Sequence, residues 1–184
     1  MPEGVPTSAE PERERDLGPE ADPESVARKI LLDQLTGRAR TRSELAKALR
    51  KRQVPAEIAE RLLDRFEEVG LIDDSAFAQE WIAQRQATRG LATRALALEL
   101  KRKGLDDEVA RSALGEIDRE AELDAAREQV RRKLRSMRGL DAERATRRLV
   151  GMLGRKGHSA GVAYRLVREE LEAAGLETVD VPVD

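Results

Sequence analysis

Three stretches of this chain can be written beneath one another: LAKALRKRQVPAEI (45–58), LALELKRKGLDDEV (96–109) and LVGMLGRKGHSAGV (149–162). Leu45, Leu96 and Leu149 correspond, as do Leu49, Leu100 and Leu153. Gln53, Gly104 and Gly157 stand where a helix would end, and Ile58, Val109 and Val162 open the next one. The spacings are 51 and 53 residues. No other feature constrains the fold as much. A unit of that length buries too little apolar surface alone and gains by contact with its neighbours.

Each unit reads as helical. Strand-forming runs are absent, and the aromatics amount to Phe66, Phe77, Trp81 and Tyr164. Val26, Ile30, Leu31 and Leu35 form one stripe, Leu45 and Leu49 a second, and Ile58, Leu62, Phe66 and Val69 a third. Thr41-Arg42-Ser43-Glu44 fits a capping box. Leading helices correspond too. Val26 and Ile30 align with Phe77 and Trp81, and these with Ala126 and Val130 at an offset of 49. Arg89-Gly90 and Arg138-Gly139 share that offset, and a four-residue insertion after Gly139 restores 53. The predicted fold is all-α: three tandem three-helix repeats, near 23–72, 73–117 and 118–175, forming an elongated, curved body. Residues 1–22 and 176–184 hold too few large apolar side chains to offset ordering entropy and are expected to be disordered.

Charge divides along the same lines. Residues 1–25 hold 8 acids and 2 bases, and residues 169–184 hold 6 acids and no base. Residues 26–168 carry 22 acids and 32 bases, a net of +10. A basic body between acidic tails suits an anionic partner, either nucleic acid or an acidic protein groove. The acidic N-terminus lacks the apolar stretch of a secretory signal, and no apolar run approaches the ~20 residues of a membrane span. A cytoplasmic monomer is the expectation.

Little points to catalysis. The chain has no cysteine and one histidine, His158, so thiolate or His-cluster metal sites are excluded and no cofactor is implied. Asp73-Asp74 and Asp106-Asp107 sit where helices begin and read as N-caps. GMLGRKG (151–157) lacks the spacing of a phosphate loop. Gly157 reads as a C-cap, and His158 after it as a solvated turn residue. Gly151 and Gly154 fall inside a helix and weaken it by about 1 kcal/mol each relative to Ala, which close helix approach or a flexible third unit would explain.

The basic clusters are the better candidates. Arg50-Lys51-Arg52, Lys101-Arg102-Lys103 and Arg155-Lys156 each end a middle helix. The helix dipole favours cations there, and a threefold recurrence would also trace a periodic basic track. Arg127, Arg131, Arg135 and Arg138 share one face of the next leading helix, flanked by Arg132 and Lys133. Arg85, Arg89 and Arg94 surround the junction of the second unit's first two helices. Phe77 and Trp81 read as that unit's core anchor.

Gly70-Leu71-Ile72-Asp73-Asp74-Ser75-Ala76-Phe77-Ala78-Gln79-Glu80-Trp81-Ile82-Ala83-Gln84-Arg85 resembles the central signature of the RecX family of bacterial RecA regulators. Gly90 and Leu98-Glu99-Leu100-Lys101-Arg102-Lys103-Gly104 continue the likeness. Arg40-Thr41-Arg42-Ser43-Glu44-Leu45 resembles that family's R-x-R-S-x-x-E-L stretch with a shortened spacer. The resemblance spans about 26–174 and implies a non-enzymatic protein that binds RecA and lies in the groove of the RecA–DNA filament. It further implies that filament extension and RecA's ATPase, strand-exchange and co-protease activities are suppressed. A stand-alone helical DNA-binding protein and a structural adaptor are the alternatives. Against the former, AEIAERLLDRFEEVG (56–70) and SAGVAYRLVREELEAAG (159–175) are rich in Glu and poor in base-reading side chains.

Overall fold

The computed structural model describes residues 22–137, 139 and 141–176, and among these all regular structure is helical. The first unit contains α1 (Pro23–Leu35), α2 (Arg42–Lys51) and α3 (Ala56–Glu68). The second contains α4 (Asp74–Arg89), α5 (Thr93–Lys103) and α6 (Asp107–Gly115). The third contains α7 (Arg119–Arg135), α8 (Ala142–Arg155) and α9 (Ala160–Ala173).

Local chemistry sets the ends. Asp22, Asp73, Asp106, Asp118, Asp141 and Ser159 each accept a first-turn amide as N-caps. Thr41 and Glu44 form the reciprocal capping box on α2. Gly90 and Gly104 end α4 and α5 in the left-handed region.

Apolar faces then close three separate cores, one per unit. Leu31, Leu45, Leu49 and Leu63 are fully buried in the first, Leu96 and Leu100 in the second, and Leu149, Leu153 and Leu166 in the third. The paired leucines of the sequence repeat are therefore the inward face of each middle helix. Cores in series, rather than one shared core, give the elongated body of a repeat protein.

Polar joints connect the units. The Lys103 carbonyl, at the end of α5, accepts the Thr41 hydroxyl at 2.8 Å. The Lys156 carbonyl, after α8, accepts the Ala92 amide at 2.8 Å. Thr41 and Ala92 are the N-cap residues of α2 and α5. The C-terminal end of each later middle helix thus meets the N-terminal end of the one before it, α8 on α5 and α5 on α2, so that opposite dipole ends face each other. A carboxylate from the following unit's leading helix completes each joint: Asp74 accepts the Arg42 amide at 2.9 Å, and Glu122 accepts the Thr93 amide at 2.7 Å. Glu122 supplies the cap that Ala92 has no side chain to make.

Several expectations need correction. Val26 is 40% exposed, and the buried pair on α1 is Ala27 with Leu31. The matching pairs are Ala78 with Ile82 and Ala126 with Val130, all four apart. The second and third leading helices are therefore offset by 48 residues, not 49, and the step from Asp74 to Glu122 is also 48. His158 is not a solvated turn residue. It is 8% exposed at the second joint, and burial holds its imidazole below its ordinary range. Gly151 and Gly154 do not mark a close helix approach: a Cβ at Gly151 would meet only the Arg155 guanidinium at 3.4 Å, and one at Gly154 nothing within 4 Å. At the chain ends, Asp22 caps α1 and Leu176 packs on the third core. Residues 1–21, 177–184 and Arg138 lie outside the described residues.

Candidate functional site

Apart from Lys133 and Arg138, the cations singled out by sequence number fifteen and fall into two groups. Seven are engaged within the protein. Arg85 and Arg89 both hold Glu99, at 2.8 and 3.0 Å, and the Trp81 indole donates to the same carboxylate at 2.9 Å. The Lys103 ammonium binds Glu44 at 2.8 Å across the first joint and lies 4.5 Å over the Trp81 ring, which itself stacks on Phe77. Burial raises Glu44, but the hydrogen bond and charge of Lys103 bring it below its ordinary carboxylate range. The Lys156 ammonium donates to the Arg89 carbonyl, and burial, with Arg132 and Arg89 nearby, lowers it. Arg127 pairs with Asp124 at 2.8 Å, Arg131 grips Glu170 through two bonds of 2.7 and 2.9 Å, and Arg135 lies 3.6 Å from Glu128. Lys103 and Lys156 act at the joints, Arg85 and Arg89 tie α4 to α5, and Arg131 ties α7 to α9.

The other eight, Arg50, Lys51, Arg52, Arg94, Lys101, Arg102, Arg132 and Arg155, are exposed and form no ion pair among the described residues. All but Arg132 belong to a middle helix or the residue after it. On α5, Arg94, Leu98, Lys101 and Arg102 follow helical spacing along one outward face, and Leu98 is 53% exposed. The acid of that helix, Glu99, is turned inward, its side chain 17% exposed. On α2, Lys47, Arg50 and Lys51 are likewise exposed. The free cations thus recur near the ends of all three middle helices.

Sequence reasoning missed Arg147 and Arg148, which belong neither to a helix-end cluster nor to the arginine face of the leading helix. With Lys133 and Arg155 they surround a groove of about 540 Å³ between α7 and α8, whose floor includes the half-buried Met137 and Met152. No carboxylate lines it among the described residues. Arg147 pairs with Glu143 in an exposed contact of 2.8 Å, and Lys133, Arg148 and Arg155 form no ion pair among the described residues. Gly151 lies one turn from both Arg147 and Arg155 on the same helix face.

Elsewhere, Asp73 and Asp106 are occupied as caps. The described residues contain no group of His, Asp and Glu arranged to hold a metal, and no helix among them is long and apolar enough to cross a membrane.

Family models for the first, second and third three-helix domains of RecX match residues 27–66, 73–114 and 120–167. The chain is 54% identical over 160 residues to the regulatory protein RecX of Streptomyces coelicolor, covering 87% of this chain and 85% of that protein. It is 49% identical over 181 residues to that of Thermobifida fusca, covering 97% of each. Among solved structures, RecX from Lactobacillus salivarius superposes with a TM-score of 0.74 at 20% identity, covering 82% of this chain and 97% of the other. A second, the regulatory protein RecX, gives 0.69 at 26% identity, covering 81% and 73%.

Proposed function

The chain belongs to the RecX family, and on that premise we propose that it regulates RecA without catalysing a reaction, by lying in the groove of the RecA–DNA filament in the cytoplasm. The exposed cations that recur on α2, α5 and α8, without ion pairs among the described residues, carry this reading. A filament repeats one surface at regular intervals, and units joined in series offer it similar contacts more than once. Contact at several points favours filament over free protomer without any single strong bond. The exposed Leu98 among Arg94, Lys101 and Arg102 suits a protein groove with acidic and apolar parts. Occupying the groove would hinder entry of a second DNA and addition of the next protomer, limiting extension and lowering ATPase, strand-exchange and co-protease activity.

RecA's ATP hydrolysis on single-stranded DNA tests this, with the protein titrated from far below to above RecA. Inhibition well below one-to-one is the expected result. Inhibition at excess alone, relieved by added DNA, would mean competition for DNA. No effect on the cognate RecA would overturn the reading.

A further inference from the structure

We propose that the groove between α7 and α8 is the docking site of this chain's own acidic tail, residues 177–184, and that the tail closes the groove to other acidic partners. Three observations converge there. The first is charge. Lys133, Arg147, Arg148 and Arg155 surround the groove with no lining carboxylate among the described residues. The Arg147–Glu143 pair is 72% and 71% exposed, so it is weak and readily exchanged for another carboxylate. Residues 177–184 carry Glu177, Asp180 and Asp184 and no base. Arginine forks match carboxylate oxygens.

The second is reach. Ala173 and Ala174, where α9 ends, lie beside Leu134 and Arg135 in the last turn of α7. Lys133 and Ser136, on the opposite side of that turn, line the groove. Leu176 packs on the third core, as do Met137 and Met152 of the groove floor. The tail therefore starts about one helix width, roughly 10 Å, from the groove. Residues 177–184 can span up to about 26 Å.

The third is pattern. The Met137 and Met152 thioethers offer an adaptable apolar surface between the cations, which a purely ionic partner would leave uncovered. In the tail, Val179, Val181 and Val183 alternate with Asp180, Pro182 and Asp184. Successive side chains of an extended segment point to opposite sides, so one side lays valines on the methionines while the aspartates meet the rim. Gly151 and Gly154 leave the α8 backbone bare between Arg147 and Arg155, and neither is demanded by a positive φ or a neighbour. That bare stretch admits a second backbone to close approach. The N-terminal residues 1–21 are also acidic, but their large apolar side chains, Met1, Val5 and Leu17, show no such alternation.

The test uses the full chain with no RecA present, so it stands or falls apart from the filament reading. A carbodiimide condenses a lysine amine with a touching carboxylate into an amide, with loss of water. An equal mixture of isotope-labelled and unlabelled chains is treated, and the linked peptides are read by mass spectrometry. The Lys103–Glu44 pair, 2.8 Å apart, is the internal reference. Lys133 should link to Glu177, Asp180 or Asp184 within single chains. V179S/V181S/V183S keeps every charge and should cut that link about fivefold against the reference. A missing Lys133 link beside a normal reference would overturn the proposal. So would links to residues 1–21 instead, or links between labelled and unlabelled chains alone, which would make the groove a contact between copies. An unchanged link in the valine variant would overturn the seating on the methionines.

Closure is read by the anisotropy of a labelled hexaglutamate. E177Q/D180N/D184N should bind it about tenfold more tightly than wild type, as expected if the tail covers the groove about nine-tenths of the time. The valine variant should also bind more tightly, at unchanged charge. R148Q/R155Q added to either variant should reverse the gain. Wild-type affinity in both tail variants, or a gain that survives R148Q/R155Q, would overturn the tail's closing role.

Discussion

Gly157 stands so close to Ala95 that a Cβ on the glycine would lie 2.7 Å from both the Ala95 amide nitrogen and the Ala95 Cβ. At the first joint, a Cβ on Gly104 would lie 2.2 Å from the Ser43 hydroxyl oxygen. Both glycines have positive φ, +101° and +75°. Gln53, the equivalent residue of the first unit, has φ +58° and is exposed, and no unit docks on the end of α2 among the described residues. G157A should therefore cost about 2 kcal/mol or more, the left-handed penalty plus displacement of the Ala95 backbone. Q53G should stabilise the chain by up to about 1 kcal/mol. Urea unfolding measures both. Equal effects at the two positions would contradict the docking role of Gly157.

Trp81 is the chain's one tryptophan and lies directly beneath the first joint, with Arg85 at 4.0 Å and Lys103 at 4.5 Å over its ring. K103A removes one of these cations and the bond to Glu44. We expect a red-shifted Trp81 emission and a loss of about 1 kcal/mol. The paired form of Glu44 is favoured when folded, so its contribution is present above the ordinary glutamate pKa near 4.5 and is lost as pH falls through the lower folded value. K103A should shrink that acid limb. An unaltered emission spectrum would show that Lys103 does not cover the ring.

His158 gives the second joint its own pH response. Burial disfavours the imidazolium, Lys156 adds to this, and Glu122 opposes both. The folded pKa lies below the ordinary value near 6.5, so the unfolded chain binds the proton first. Stability from this residue is full above pH 6.5 and declines as pH falls from there to the folded value. Between about pH 7.5 and about 5.5 the wild-type Tm should fall further than that of H158N. Parallel curves would remove His158 from the joint's energetics.

Most of the fold was legible because its signals are short-range. Leucines four apart, an aspartate before a helix and a glycine after one act within a turn or two. The joints were not, because their partners are distant: Thr41 and Lys103 are 62 residues apart. Ala92 looks like a poor cap until Glu122 is brought to the Thr93 amide. His158 follows a cap and so resembled a turn residue, yet that turn is what docks on α5. Charge was misread for the same reason. Lys103 and Lys156 belong to clusters that read as surface, and each joint consumes the last member. Arg147 and Arg148 sit mid-helix as a bare pair, without the run of arginines one turn apart that marks α7.

That partition makes a sharp prediction for RecA. Lys101 and Arg102 are exposed with no ion pair among the described residues, whereas Lys103 bonds Glu44. K101E/R102E reverses the outward charge of α5 and leaves the joint intact. Two anions at the negative end of α5 should lower its unfolding free energy by about 1 kcal/mol without disturbing Trp81. Half-inhibition of RecA's ATPase should require about tenfold more protein, with weaker salt dependence because fewer charges steer the encounter. K103A should instead red-shift Trp81 emission, with a milder loss of inhibition. If K101E/R102E inhibits like wild type, the cations at the end of α5 serve the helix dipole alone, and the contact with RecA must lie on another face.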